Sequence, residues 1–228
     1  MPDLIEALAQ PFMQRAIAAA ICCGVACACI GTHLVARRMT FVGSALTHTL
    51  LPGVAAAWLM GYSPYAGGLA AALVTAVLIA TASGRKGGGE DAAIGVVQSG
   101  LFALGIVLLA AASSWRDLTG LLFGSVLGVD SNELTWVAAL SAATLLLLLV
   151  AHRGLEATAV DEDYARQRGL RPALLRLGLV VLAGVAATAA VRLIGAMLTS
   201  ALLIVPAATG ILLGRSLAGA MAWAATVA

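Results

Sequence analysis

Charged residues are scarce in this chain of 228 residues. Asp, Glu, Lys and Arg make up 11% of it, aromatic residues 5% and hydrophobic residues 61%, and the mean hydropathy is +1.01. So little charge excludes a soluble domain of this size, which needs a charged surface. The net charge is only +2, and no basic patch is interleaved with aromatic residues, so nucleic acid is excluded as a partner.

Motifs for bond chemistry are also lacking. The GRKGGG stretch at 84–89 is not a phosphate-binding loop, because that loop needs G-x-x-x-x-G-K-[ST] after a strand. No Ser/His/Asp set or carboxylate pair predicts a hydrolase. We therefore expect no enzyme, and any ATP hydrolysis must belong to another chain.

The few cysteines are confined to the first apolar block, at Cys22, Cys23, Cys27 and Cys29. Their spacing fits no zinc motif with partnering histidines. We expect them to pack as small apolar residues, and a soft-metal site that uses Cys22 and Cys29 is the alternative.

What the chain does contain is a series of apolar blocks about 20 residues long, the length that crosses a hydrocarbon core. They predict an all-α, polytopic transmembrane bundle of seven to eight spans, forming a single domain over 1–228. The piece 118–129 is too short to cross and is expected to be re-entrant or interfacial. The last block, 217–228, is still apolar at the C-terminus, so we expect either a truncated chain or a short final helix. The expected spans are 14–35, 41–60, 64–83, 92–112, 134–151, 173–191 and 195–214.

The basic residues orient these spans. If the N-terminus lies outside, ten of the 13 Lys and Arg residues fall on the cytoplasmic side, as the positive-inside rule requires. Arg15, Arg116 and Arg192 remain for the outer side, where acids such as Glu133 also lie.

The longest polar loop, 152–172, is then cytoplasmic. Its centre, DEDYARQRG, begins with acids and ends in Arg-Gly before Pro172, a pattern typical of a short helix with Gly169 as its C-cap. Such a helix on the cytoplasmic face is a candidate docking element. A solvated loop is the alternative.

A histidine stands in the middle of the second block. His48 follows Arg38 by ten residues, which places it roughly 15 Å deep, near the midplane. Ser44 and Pro52 share its helix face, Thr47 flanks it, and Pro52 is expected to break or kink the helix. An ionisable group at this depth normally faces a pathway or a partner, and imidazole is a common ligand of Zn²⁺ and similar metals. The alternative is a buried histidine that is bonded to a neighbouring helix.

The other polar residues of the spans give weaker signals. Glu90 and Asp91 open the fourth block and are expected to cap its helix, or alternatively to form the cytoplasmic mouth of a cation path. His33 and His152 are expected to mark span ends at the interface. Pro206 is expected to interrupt the seventh span.

Five blocks resemble, in sequence order, the membrane subunits of ABC transporters for metal uptake, the zinc, manganese and iron permease family. The likeness extends over nearly the whole chain. The blocks are ARRMTFVGSALTHTLLPGVA (36–55), EDAAIGVVQSGLFALGIVL (90–108), LFGSVLGV (122–129), DEDYARQRGL (161–170) and RLIGAMLTSALLIVPAATG (192–210).

The resemblance implies an all-helical importer subunit in the plasma or inner membrane of a prokaryote. It implies a homodimer around a central path, two ATPase subunits that bind ATP and dock from the cytoplasm, and an extracytoplasmic metal-binding protein. Segment 161–170 matches the coupling region, so the residues expected to couple to the ATPase are Asp161, Glu162, Asp163, Tyr164, Arg166, Arg168 and Gly169.

His48 matches the histidine of the family's Gly-Asp-x-x-x-His motif and is thus expected to bind the metal. Ser44 stands where the family usually has Asp, so it offers a neutral oxygen instead of a carboxylate. A site of Ser44 and His48 alone is expected to be weak, which suits a path that must release its ion.

The expected function is the permease subunit of a divalent-metal importer, with zinc first and manganese or iron next. An importer for a metal chelate or another small solute is the nearest alternative. A channel or secondary carrier without an ATPase would need acids near the midplane, whereas the acids of this chain lie at span ends. A membrane scaffold would leave His48 without a role.

Overall fold

The computed structural model describes residues 10–83, 90–111, 124 and 130–228. All regular structure in these ranges is helical, which confirms the predicted all-α bundle. Six helical stretches are long and apolar enough to cross a membrane, and α9 is a shorter apolar helix. The helices are α1 Pro11–Ala36, α2 Thr40–Thr49, α3 Leu51–Leu59, α4 Pro64–Ser83, α5 Glu90–Ala111, α6 Ser131–Val160, α7 Glu162–Gln167, α8 Pro172–Leu213 and α9 Leu217–Val227.

Helix α8 contains two of the predicted spans in one helical run. Its 42 residues would be about 63 Å long if straight, roughly twice the thickness of a hydrocarbon core. The run is broken at Gly195, where φ is 78° and ψ is 163°. A positive φ strains any residue with a Cβ, so glycine suits this break.

The contacts of α8 show that the chain reverses at Gly195. Before it, Thr188 lies against Gly68 near the start of α4, so this arm runs antiparallel to α4. After it, Leu203 lies against Gly31, close to the end of α1, and the arm continues towards Ala36. The two arms are therefore the sixth and seventh predicted spans, joined by a very short turn.

The helix termini form two groups, at opposite ends of the bundle. At what we call the basic end, Arg37 Nη2 donates to the Leu155 carbonyl and to Thr158 Oγ1, both at 2.5 Å. This ties the end of α1 to the end of α6.

At the opposite end, the first turns of the helices are joined to the Gly195 turn. Glu133 pairs with Arg192, and the Arg192 guanidinium lies 5.5 Å from the centre of the Tyr65 ring. Tyr65 in turn stacks on Trp136 with the ring centres 5.9 Å apart. The charges are thus kept at the rim of the bundle.

Small residues let the central helices approach closely. A Cβ on Gly53 would overlap the Gly67 carbonyl oxygen, and a Cβ on Gly67 would overlap that of Gly53. Cys23 and Cys27 are fully buried free thiols of α1, in agreement with the predicted packing role. Among the described residues, no three His, Cys, Asp or Glu side chains are grouped as metal ligands. A two-cysteine site at Cys22 and Cys29 stays a prediction.

Several boundaries differ from the predictions. Helix α6 continues nine residues beyond position 151, so much of the predicted loop 152–172 is helical. Position 206 does not interrupt its span: the non-helical backbone angles lie at Gly195, and Pro206 stays inside the helix, as membrane helices tolerate. The predicted re-entrant piece 118–129 lies outside the described residues except for Gly124.

Candidate metal site in the membrane

The helix that carries His48 is divided shortly after it by a single residue, Leu50, which keeps helical backbone angles of φ −72° and ψ −23°. Helix α2 ends at Thr49 and α3 begins at Leu51, with Leu50 as the joint between them. Pro52 lacks the N–H that would otherwise reach the His48 carbonyl four residues earlier. The helical hydrogen bond from residue 52 to the His48 carbonyl is therefore missing, while the backbone stays helical through Leu50.

The His48 side chain is half-buried and meets mainly apolar neighbours. Its ring lies edge-to-face with Phe102 of α5, with the ring centres 5.6 Å apart. The small cavity beside it, of about 10 Å³, is also lined by Val191 and Ala196, on either side of the α8 reversal. Within the described part of the chain, neither ring nitrogen makes a hydrogen bond. One nitrogen of the neutral ring thus keeps a lone pair for a ligand.

The hydroxyls nearby differ in availability. Ser44 is half-buried and lies one helical turn before His48 on the same face. Thr47 is 2% exposed, and its Oγ1 donates to the Ser44 carbonyl at 2.8 Å. One chain therefore offers one imidazole and one uncommitted hydroxyl on this face, fewer than the four ligands that Zn²⁺ usually takes.

The predicted acids are not brought to this site. Glu90 is the first residue of α5, and the Asp91 side chain is exposed in the first turn. Asp91 precedes Phe102 by 11 residues, so it lies about 16 Å along the helix from the level of His48. Any role of these acids is at the mouth of the path.

Helix α7 shows how the predicted docking element is built. Asp161 Oδ1 accepts from the backbone N–H groups of Asp163 at 2.8 Å and Tyr164 at 3.1 Å, which caps the helix. Arg166 pairs with Glu162 at 2.9 Å and with Asp163 at 2.6 Å. These ion pairs are exposed and contribute little stability, so they leave the charges accessible to a partner.

The end of α7 is fixed by its backbone. Gly169 has φ of 79°, and the Leu170 N–H donates to the Ala165 carbonyl at 3.0 Å, the pattern of a Schellman motif. The Arg168 guanidinium lies 5.0 Å from the centre of the Tyr164 ring. The predicted short helix with a glycine cap is thus confirmed, while its role as a docking element stays a prediction.

The other two histidines form a pair that the sequence did not predict. His33 is fully buried, and its Nε2 lies 3.2 Å from Nδ1 of His152. The carboxylate of Glu156 lies 4.0 Å from the other nitrogen of His152. His33 lies in the last turn of α1, where α6 extends past position 151 and covers it; its position at the membrane interface stays a prediction.

The apolar residues that line the His48 cavity were missed, among them three from α5 and α8. Phe102, Val191 and Ala196 carry no chemical signal in the sequence. Phe102 lies in the block 90–108 and Ala196 in the block 192–210, so block order alone could have brought them to notice.

Comparison with known proteins agrees with this architecture. The family model described as the ABC 3 transport family matches residues 9–228. The chelated iron transport system membrane protein YfeD of Yersinia pestis is 33% identical over 211 residues, which are 92% of this chain and 71% of YfeD. The manganese import system permease protein ScaB of Streptococcus parasanguinis is 32% identical over 216 residues, 94% of this chain and 77% of ScaB.

A solved structure shows the same fold. The complex of PsaBC from Streptococcus pneumoniae with Fab contains a chain that superimposes with a TM-score of 0.89 at 32% identity, covering 99% of this chain and 82% of that one. The resemblance seen in the sequence is thereby confirmed. The chain belongs to the ABC 3 transport family and is a multi-span membrane permease of an ABC transporter.

Proposed function

We propose that this permease imports a divalent first-row transition metal ion along a path that passes His48. The observation that carries the proposal is a half-buried imidazole in the second span with no hydrogen-bond partner in the described part of the chain. Relatives named for iron and manganese transport support the class of cargo.

The site is completed by a second copy of the chain. One chain supplies at most two ligands from this face, whereas first-row metals take four or more. In a dimer with twofold symmetry, the same face of each copy meets its counterpart, so two His48 and two Ser44 side chains would surround the ion. The half-buried state of both residues in a single chain supports this arrangement.

The preferences of the metals for imidazole and hydroxyl ligands order the candidate cargo ions. Two imidazoles and two hydroxyls form a neutral set, and imidazole suits Zn²⁺ and Fe²⁺, whereas Mn²⁺ prefers carboxylate and water oxygens. On ligand chemistry zinc and iron(II) are therefore placed before manganese, while the relatives are named for chelated iron and for manganese. A neutral set holds a dication weakly, which favours release.

ATP binding and hydrolysis occur on a separate ABC ATPase that docks on α7. The basic end then faces the cytoplasm of a prokaryotic cell, and an extracytoplasmic metal-binding protein delivers the ion at the opposite end. Helix α7 is followed within a few residues by Pro172, the start of α8, and Val191 of the same helix borders the His48 cavity. A push on α7 can thus reach the site through one rigid helix and switch the dimer between outward-open and inward-open states.

Uptake of radiolabelled metal into proteoliposomes tests the proposal. The vesicles contain the permease, its ATPase and its binding protein, and zinc, iron(II) and manganese are compared. Wild type should take up zinc and iron(II) only with ATP, and His48→Ala should abolish uptake while the complex still assembles. His152→Gln is the matched control, because it removes an imidazole that lies away from the cavity.

Each contrary result has a distinct meaning. Normal uptake by His48→Ala would show that the path does not pass this residue. Uptake without ATP would indicate a channel or secondary carrier. Uptake of metal chelates but of no free ion would replace the cargo while leaving the permease intact.

A further inference from the structure

The reversal of α8 forms one wall of the His48 cavity. Val191 lies before the Gly195 turn and Ala196 directly after it, and both line the cavity. Both residues are buried in the bundle. The position of this turn therefore determines how closed the cavity is beside His48.

Arg192, between these two residues, fastens the turn to two other helices. It pairs with Glu133 in the first turn of α6, and its guanidinium lies 5.5 Å from the centre of the Tyr65 ring, near the start of α4. Tyr65 is buried and stacks on Trp136 of α6. The turn is thus held by one charged and one aromatic contact of the same guanidinium.

The Glu133–Arg192 pair is better shielded from water than the ion pairs of α7. The side chains of Arg192 and Glu133 are 33% and 24% exposed, whereas Arg166 of α7 is 58% exposed. A pair that is largely buried is screened less by solvent, and removal of one of its charges costs more than at the surface. The pair is therefore suited to hold a turn in place.

Other contacts of the turn involve its backbone. Thr199 Oγ1 donates to the Gly195 carbonyl at 2.7 Å, within α8 itself. A Cβ on Gly124 would overlap the Leu193 carbonyl oxygen, so the backbone at position 124 lies directly against the turn. The ion pair adds a link from this packed turn to α6, and it is a link that a change of charge can break.

We propose that Glu133 and Arg192 are positioning residues for transport, whose ion pair holds the α8 turn closed over the His48 cavity. The inference rests on the proposed function, in which the ion arrives from the end where this pair lies. Neither side chain lines the cavity, so neither is assigned as a metal ligand. The pair keeps Val191 and Ala196 against the cavity, and it separates when the ion is delivered.

Access of a thiol reagent to position 196 tests the closing role. Ala196→Cys places a thiol in the cavity wall, and a small charged thiol reagent is applied to the detergent-purified complex of permease and ATPase without ATP. The parent chain gives the background from the native cysteines, of which Cys23, Cys27 and Cys29 are buried. Labelling of Ala196→Cys alone should be slow, because position 196 is 4% exposed.

Removal of either charge should speed this labelling. Glu133→Gln and Arg192→Gln, each combined with Ala196→Cys, should raise the rate about tenfold, the change expected when one charge-assisted hydrogen bond is lost. The variant with both charges removed should be no faster than either single one, because the same contact is lost. Arg192→Lys keeps the positive charge and should restore slow labelling.

Arg15→Gln is the matched control. Arg15 Nη1 donates to Ser131 Oγ at 3.2 Å, so this substitution removes a link of α1 to the first turn of α6. It leaves the pair of Glu133 and Arg192 in place. Labelling at position 196 should therefore stay slow in this variant.

Uptake by the same substitutions, without Ala196→Cys, completes the test. Glu133→Gln and Arg192→Gln should lower metal uptake per folded molecule several-fold, and Arg192→Lys should retain it. The proposal is overturned if neither charge removal speeds labelling, if Arg15→Gln speeds it equally, or if uptake is unchanged although labelling is faster. Labelling needs no transported metal, so slow labelling in every variant counts against the pair alone, whereas absence of wild-type uptake counts against the proposed function.

Discussion

His48 and the His33–His152 pair lie in one apolar bundle, but their neighbours differ. In the pair, two imidazoles of α1 and α6 share a hydrogen bond of 3.2 Å, in which one ring donates and the other accepts. His48 instead has the edge of Phe102 and a small cavity beside it. A bonded imidazole holds two helices together, whereas one without a partner remains available to a ligand.

The backbone around the His33–His152 pair also differs from the backbone around His48. His33 lies within the continuous helix α1, and its neighbour Arg37 ties that helix to α6. His48 lies next to a helix interruption, and the cavity beside it reaches the Gly195 reversal of α8. The pair therefore joins two helices through side-chain hydrogen bonds, whereas His48 lies beside Pro52 and the α8 reversal.

Replacement of His48 should have the largest effect, a loss of metal uptake with little loss of stability. His48→Ala should lower metal uptake on the order of 100-fold or more, because even residues that only support a metal ligand are worth roughly 10- to 100-fold. Its thermal stability should change little, since the imidazole is half-buried and makes no hydrogen bond to the described residues. Uptake and Tm are measured on the same preparation. A large fall in Tm with uptake retained per folded molecule would reverse the assignment.

Replacement of His33 should give the opposite pattern. His33→Ala should lower the free energy of unfolding by roughly 3 kcal/mol, because it leaves a buried cavity and removes the partner of His152. Uptake per folded molecule should stay near wild type. Denaturant unfolding in detergent measures the first quantity and vesicle uptake the second. Loss of uptake without loss of stability would place the pair on the path.

Much of the bundle could be predicted from sequence, because a span needs only length and low polarity. The end of α6 differs from the prediction, which ends this span at position 151, nine residues before Val160. The predicted loop 152–172 contains Arg153 and Glu156, although long polar side chains at a helix end can reach water while the helix continues. The tight reversal at Gly195 depends on one backbone angle, which leaves little trace in hydropathy.

Only the polar residues of the candidate site could be predicted from the sequence. Depth and spacing predict Ser44 and His48 as one polar face, and that face stays a prediction until uptake is measured. Phe102 and Val191 are apolar and could not be assigned to it, since their contact depends on which helices are neighbours. The hydrogen bond between His33 and His152 could not be predicted for the same reason, because the sequence does not show which helices are neighbours. Both residues lie near the ends of predicted spans.

A carboxylate at position 44 should strengthen metal binding beside His48 and leave the His33–His152 pair unchanged. Ser44→Asp should tighten metal binding about tenfold, the equivalent of ~1.4 kcal/mol, because a negative charge then faces the dication. It should also raise the share of manganese among the metals taken up, since carboxylate suits Mn²⁺. Competition uptake with zinc, iron(II) and manganese measures both effects, and Ser44→Asn is the neutral control of similar size. Equal effects of Asp and Asn would show that the charge at position 44 does not face the ion.

The smallest effect is expected at the interruption after His48. Pro52→Ala supplies an N–H that can bond to the His48 carbonyl, which should tighten the backbone between α2 and α3 and shift the imidazole from its present position. Uptake should fall several-fold without loss of folded protein, since the new hydrogen bond stabilises the helix. Pro206→Ala is the matched control, because Pro206 lies within a helix that is already continuous, and uptake should change less. If both variants transport as wild type does, the interruption has no part in positioning His48, and the difference between the two histidine regions reduces to their hydrogen-bond partners.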